Sequence, residues 1–276
     1  MDLFNNKTIK ELLSKYEAHP SKTMGQNFLI DELTLDKIIE TANLTEKDTI
    51  LEVGPGIGTL TSELSKKVKM VYAVEKDRAM VEILKETLKD CKNVKIIQDD
   101  ILKFDGEKYG LESKKYKIVA NIPYYLTSPL IRKFLETKNG PTDMTLMIQK
   151  EVALRICSNP PRMTLLSVSV QIYAEPQIAS FVSKECFLPK PKVDSAILKI
   201  ISQNFTEKYG QVDIDLFFKI VKAGFSQKRK QLKNNLVSLI NDKNKIDLWL
   251  LKNKIDPKQR AETLSINDWV NLTSNF

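Results

Sequence analysis

A nucleoside-holding chemistry can be read from four glycine or polar positions spaced along the first half of the chain. Gly54-Pro55-Gly56-Ile57-Gly58 follows the β-branched run Thr49–Val53 and precedes a helical pattern. Glycines there let the backbone turn tightly and approach a ligand closely, with a helix N-terminus beyond. Glu75 lies 21 residues past Gly54, at the end of the next apolar run, where an acid grips both hydroxyls of an adenosine ribose. The third run ends in Asp99-Asp100. Asp100 suits the exocyclic amine of an adenine lying along the strand ends, and it equally suits a helix N-cap before Ile101. The G-x-G-x-G spacing, interrupted by a proline, counts against a pyrophosphate ligand, and a purely structural turn stays open.

The fourth run ends in Asn121-Ile122-Pro123-Tyr124-Tyr125. The Asn121 side-chain oxygen and the Ile122 carbonyl can each accept from an amine on a planar ring. Pro123 fixes φ and brings no N–H, and Tyr124 offers a face on which a base stacks. An amine whose lone pair is delocalised into its ring is a poor nucleophile. Two acceptors pull it toward a tetrahedral geometry and aim it at an electrophilic carbon. A structural Asn-Pro turn is the alternative reading.

The elements that must position these residues alternate. Strands are predicted at Thr49–Val53, Met70–Glu75, Val94–Asp99, Lys117–Asn121, Met144–Ile148, Val168–Glu175 and Ala196–Ile201, with crossover helices such as Leu60–Lys67 and Asp77–Lys89. This alternation predicts an α/β fold with a parallel, doubly wound sheet and right-handed connections. Gly54, Glu75, Asp100 and Asn121 then fall at the carboxyl ends of consecutive strands, where open sheets place their ligands. The last two strands, joined across Pro176, Pro189 and Pro191, allow an antiparallel hairpin at one edge. Lys7–Tyr16 reads as a helix and His19–Asn27 as a loop. Past a linker at Ser202–Gln211 the pattern is helical, with helices at Ile214–Gly224, Phe225–Ile240, Ile246–Asn253 and Ile266–Thr273. The expected division is a catalytic domain at 1–205 and a small all-α domain at 206–276.

A length of 276 residues, at roughly 150 residues per domain, gives about 1.8 domains and suits one large and one small. The 42% hydrophobic and 28% charged composition excludes collagen-like and wholly disordered chains. No apolar run reaches the ~18 residues of a membrane span, and Met1–Glu11 shows no signal region, so a cytoplasmic protein is expected. Three cysteines and one histidine cannot build a conventional zinc site or a disulfide framework, so no metal is expected. The net charge is +8, and from Ile201 onward 13 basic residues face 8 acidic ones. That asymmetry points to a polyanion, most often a nucleic acid. Lys228, Arg229, Lys230 and Lys233, interspersed with apolar residues on the expected helix from Phe225, are the phosphate-contacting candidates.

These motifs, with Gly25-Gln26-Asn27-Phe28-Leu29, Phe187-Leu188-Pro189-Lys190-Pro191-Lys192-Val193-Asp194-Ser195-Ala196, Phe225-Ser226-Gln227-Lys228-Arg229-Lys230 and Arg260-Ala261-Glu262, occur in an order that closely resembles the ribosomal RNA adenine dimethylases of the KsgA/RsmA type. The resemblance spans residue 25 to about 265. It implies a Rossmann-like class I methyltransferase with a mostly parallel seven-stranded sheet and a small helical C-terminal domain. It implies dimethylation of two adjacent adenines near the 3′ end of small-subunit ribosomal RNA, with S-adenosylmethionine as donor, by a monomer acting on a pre-30S particle. By the same resemblance Asn27 and Leu29 close over the donor, and Gly54 and Gly56 approach its methionine part. Glu75 takes its ribose and Asp100 its adenine amine. Asn121 stands between donor and target, Pro123 joins it among the catalytic positions, Tyr124 stacks on the target adenine, and Phe187 contacts its other face. Two positions depart from the pattern: Tyr125, where an Asn is common, and Pro161-Arg162-Met163-Thr164, where a Gly-basic pair is common.

Overall fold

A computed structural model describes residues 1–18 and 25–276; the expected loop at His19–Asn27 lies largely outside the described residues. In chain order the first unit contains α1 (Asn6–Lys15), β1 (Phe28–Leu29), α2 (Glu32–Ala42), β2 (Thr49–Val53), α3 (Thr59–Ser65), β3 (Met70–Glu75), α4 (Arg78–Thr87), β4 (Val94–Gln98), β5 (Lys117–Asn121), α5 (Thr127–Glu136) and β6 (Asp143–Gln149). The chain continues through α6 (Lys150–Ile156), α7 (Leu165–Gln171), β7 (Ala174–Val182), β8 (Phe187–Leu188) and β9 (Ser195–Ser202). It ends in α8 (Phe205–Tyr209), α9 (Ile214–Gly224), α10 (Leu232–Leu236), α11 (Lys243–Lys252) and α12 (Ile266–Ser274).

Seven strands form one sheet in the order β4-β3-β2-β5-β6-β9-β7. The pairs from β4 to β6 are parallel, and β9 lies antiparallel to β6. The chain winds outward from β2 to β4, then returns to place β5 on the other side of β2. The seam between β2 and β5 is therefore the topological switch point, where ligands of open α/β sheets bind. Counting three residues on from the Leu51/Ile118 pair puts Asn121 level with Gly54. The central strands are buried on both faces, so they read as nearly continuous apolar runs: Ile50, Leu51, Ile118, Val119, Leu146 and Met147 have no exposed surface.

The contacts divide the chain into Met1–Ala153 with Pro176–Ser202, and Leu154–Glu175 with Gln203–Phe276. The segment 154–175 thus belongs with the C-terminal helices, although a boundary at 205/206 had assigned it to the first domain. Met163, Val168 and Ile172 pack into the core of the second unit with Phe217, Leu236, Trp249 and Trp269.

Two expected elements are corrected. Val168–Glu175 is not a strand. Thr164 and Ser167 form a reciprocal capping box that starts α7, and the strand begins only at Ala174. The Val168/Val170 alternation imitates a strand, but Val168 and Ile172 are also four apart and share one buried helical face. Strand β7 lies at the sheet edge, which is why it tolerates Pro176. The expected continuous helix Phe225–Ile240 is likewise reduced to the short α10, preceded by a turn. The Asn235 amide donates to the carbonyls of Gly224 (2.6 Å) and Gln227 (3.1 Å), which fixes that turn in place of helical bonds.

Candidate active site

The carboxyl ends of β2, β3, β4 and β5 open onto one crevice. It is lined by Asn27, Leu29, Gly54, Gly56, Glu75, Asp100, Asn121, Pro123, Tyr124 and Phe187. All the catalytic and cofactor candidates of the sequence therefore meet in one place. Lys228, Arg229 and Lys230 do not belong to it; they are exposed on the turn of the second unit. Lys233 is half-buried and paired with Asp247 at 3.6 Å, so part of its charge is already satisfied.

Gly54 (φ +65°) and Gly56 (φ +59°) adopt left-handed backbone that only glycine takes without strain. A Cβ on Gly56 would meet the Phe28 ring at 3.2 Å, so the turn floor stays free of side chains. The Glu75 carboxylate is held by two backbone N–H groups, from Gly56 (3.2 Å) and Asp77 (2.9 Å). Asp77 also accepts from the Gln26 side chain at 3.1 Å, which ties the segment before β1 to the rim. Burial raises the Glu75 carboxyl above the ordinary range, although the backbone donors oppose it. Asp100 is the contrasting acid. Its bond with the Lys76 ammonium, at 2.9 Å, holds it low despite partial burial.

Asn121 donates its amide to the Asn27 carbonyl at 3.2 Å. A carbonyl can only accept, so this bond fixes the amide orientation and leaves the Asn121 oxygen for another donor. The Tyr124 hydroxyl lies 2.9 Å from Ser195 Oγ on β9, and burial pushes that phenol up, so it stays protonated. Phe187 reaches the crevice but is only 3% exposed, packed with Leu29, Val119, Met147 and Ile197. Strand β8 pairs antiparallel with β1, setting Leu29 opposite Phe187.

Sequence reasoning passed over Glu52. It is 1% exposed, lines the crevice, and its Oε2 has no hydrogen-bond partner. Burial raises its carboxyl to about 8. Its one signal in the sequence was an acid inside an otherwise apolar strand, two residues before the glycine turn.

The family model of the ribosomal RNA adenine dimethylases matches residues 18–276. The chain belongs to that family. The dimethylase is 42% identical over 267 residues to a Clostridium botulinum protein named ribosomal RNA small subunit methyltransferase A, covering 96% of each chain. It is 42% identical to a protein of the same name from Clostridioides difficile, covering 99% of this chain and 96% of the relative. A dimethyladenosine transferase from Plasmodium falciparum superposes with a TM-score of 0.73 at 27% identity, over 89% of this chain and 95% of that one. The 23S rRNA methyltransferase ErmE superposes equally well, with a TM-score of 0.73 at 25% identity, over 90% of this chain and 99% of that one. The dimethylase is thus a mixed α/β methyltransferase with a mostly parallel seven-stranded sheet. No helix among its described residues is long and apolar enough to cross a membrane.

Proposed function

We propose that the dimethylase uses S-adenosylmethionine to dimethylate two adjacent adenines near the 3′ end of small-subunit ribosomal RNA, as a cytoplasmic monomer acting on a pre-30S particle. The observation that carries this reading is the convergence, at the switch point, of a glycine floor, two acids and a fixed asparagine oxygen. The small-subunit assignment rests on the names of the relatives at 42% identity.

The residues present fit the donor. The bare floor at Gly54 and Gly56 admits close backbone approach, as a methionine chain requires, and a Cβ at Gly56 would fill against Phe28. Glu75 would take the ribose hydroxyls, Asp100 the adenine amine, and Asn27 and Leu29 would close over the site. The bound donor supplies a methyl group on a sulfonium, an electrophile that needs no nucleophilic side chain. What remains for the protein is alignment and exclusion of water.

Asn121 Oδ1 and the Ile122 carbonyl accept from the target amine, freeing its lone pair from the ring. Tyr124, anchored by Ser195, offers the stacking face, and Pro123 keeps the turn rigid without an N–H. Phe187 closes the opposite wall from its packed position. Methyl transfer leaves the nitrogen as a cationic ammonium, which on a ring-conjugated amine is strongly acidic, so its proton can pass to water without a tuned base. In the second round the amine carries one hydrogen, and the two acceptors cannot both be satisfied. The target must be unstacked to enter, by flipping or from a loop. Lys228, Arg229, Lys230 and Lys233 would hold phosphates.

Incubation with radiolabelled methyl donor and small subunits lacking the modification tests the assignment. Label in two adjacent adenines near the 3′ end of the small-subunit RNA is expected. Label confined to large-subunit RNA would refute it.

A further inference from the structure

Tyr124 and Tyr125 are neighbours in a turn of 3₁₀ helix at Tyr124–Leu126, beginning three residues after β5. Successive side chains on such a turn point about 120° apart. Tyr124 looks along the strand ends: its hydroxyl meets Ser195 on β9, two strands over across β6. Tyr125 lines the same crevice with its ring half open to water. Its phenol lies within electrostatic reach of the Lys76 ammonium, which follows β3, two strands over across β2. Lys76 in turn holds Asp100 after β4, and Asp100 accepts from the Leu102 backbone at 3.0 Å. Tyr125, Lys76, Asp100 and Leu102 all line the crevice. Tyr125 is 53% exposed and Leu102 40% exposed, two apolar surfaces left open to water beside the acids expected to hold a nucleoside.

We propose that the Tyr125 ring closes over the purine of the methyl donor, so that this residue sets affinity for donor and spent donor and not for RNA. The proposal rests on the donor reading given above and adds to it a residue that neither the glycine turn nor the acids suggested. The occupant is chosen by place. A base of the RNA would stack on Tyr124, whereas Tyr125 lines the crevice together with Lys76 and Asp100, which follow β3 and β4. A planar purine would cover the exposed ring, and the Lys76–Asp100 pair would flank it without contributing a face of its own. Tyrosine at this position, where an asparagine is common, would make donor binding tighter than the asparagine could.

The test uses the full chain. S-adenosylhomocysteine, and separately adenosine, are titrated by calorimetry into the wild type, Tyr125→Phe, Tyr125→Asn and Tyr125→Ala, without RNA. RNA affinity is measured in parallel without donor. Tyr125→Ala and Tyr125→Asn are expected to weaken both ligands about tenfold, the effect of one lost stacking partner. Tyr125→Phe should bind as the wild type does, and RNA affinity should be equal in all four. Unchanged affinity for S-adenosylhomocysteine in Tyr125→Ala would overturn the proposal. So would lost RNA affinity with donor affinity intact, which would make the ring a platform for an RNA base. A wild type that binds neither ligand would remove the donor reading itself, a result distinct from either.

Discussion

On the proposed reading Asn121 carries the chemistry, and one neighbour has already settled how it points. With its N–H spent on the Asn27 carbonyl, its oxygen is a preformed acceptor that needs no reorganisation when an amine arrives. Asn121→Ala is therefore expected to lower turnover at least ~100-fold, the scale of a lost preorganised hydrogen bond. RNA affinity should stay within about threefold, since that single bond is not made to RNA phosphates. Single-turnover kinetics beside a binding titration would check this, and near-normal turnover would remove the assigned role. Glu52 makes a different demand. An ordinary carboxyl in the unfolded chain titrates near 4.5, while the folded chain holds this proton to about 8. The native state binds more protons across that interval, so the stability from Glu52 is complete below about 4.5 and is lost as pH rises toward 8. Glu52→Gln should flatten the fall of Tm between pH 5 and 8.5. A weaker slope of the same sign should survive from Glu75, whose carboxyl is also raised. An unaltered slope would contradict the assignment. Glu52 was hard to single out in the sequence because its one mark, an acid in an apolar strand, does not show whether the side chain is buried without a partner.

Elements were legible where local pattern and tertiary packing agreed. Strands β2, β3 and β5 and helix α9 have the bounds their sequence periodicity predicts. They failed where two periods overlap. The stretch from Leu165 to Glu175 satisfies both a two-residue and a four-residue apolar repeat, and the Thr164–Ser167 cap decides for helix. The break after α9 was hidden for another reason. The residues after Phe225 are acceptable in a helix, but the Asn235 amide bonds, eleven and eight positions away, claim the carbonyls a helix would have used. Gly224 is part of the same arrangement: a Cβ there would lie 2.4 Å from the Trp269 ring, which has no exposed surface and no space to retreat. Gly224→Ala should destabilise the second unit by about 2 kcal/mol or more, the usual scale of overpacking. Denaturant unfolding would measure it, and a variant as stable as the wild type would show that the ring can move.

At the scale of the whole molecule, the crevice and the exposed basic turn occupy different units. The crevice is built wholly from the first unit, while Lys228, Arg229 and Lys230 stand exposed on the second. Reversing all three to Glu should weaken RNA binding and make the plot of log affinity against log salt shallower by about two to three, one lost phosphate contact for each charge. Affinity for S-adenosylhomocysteine should be unchanged. Equal RNA affinity at every salt concentration would show that other cations carry the phosphates. The charge asymmetry of the sequence foreshadowed this separation, but not that Leu154–Glu175 would join the basic unit, because contacts far apart in the chain have no periodicity to betray them.

The reversal of strand order at β2 and β5 also bears on how such an enzyme can change its target. On the proposed reading, most of what grips the small molecule precedes residue 102, while what meets the nucleic acid begins at Asn121. Recognition of a new transcript can therefore be rewritten in the later half of the domain while the earlier half is inherited intact. Tyr125 stands outside that partition, and a lineage that altered it would be tuning its metabolite dependence from within the half devoted to choosing a target.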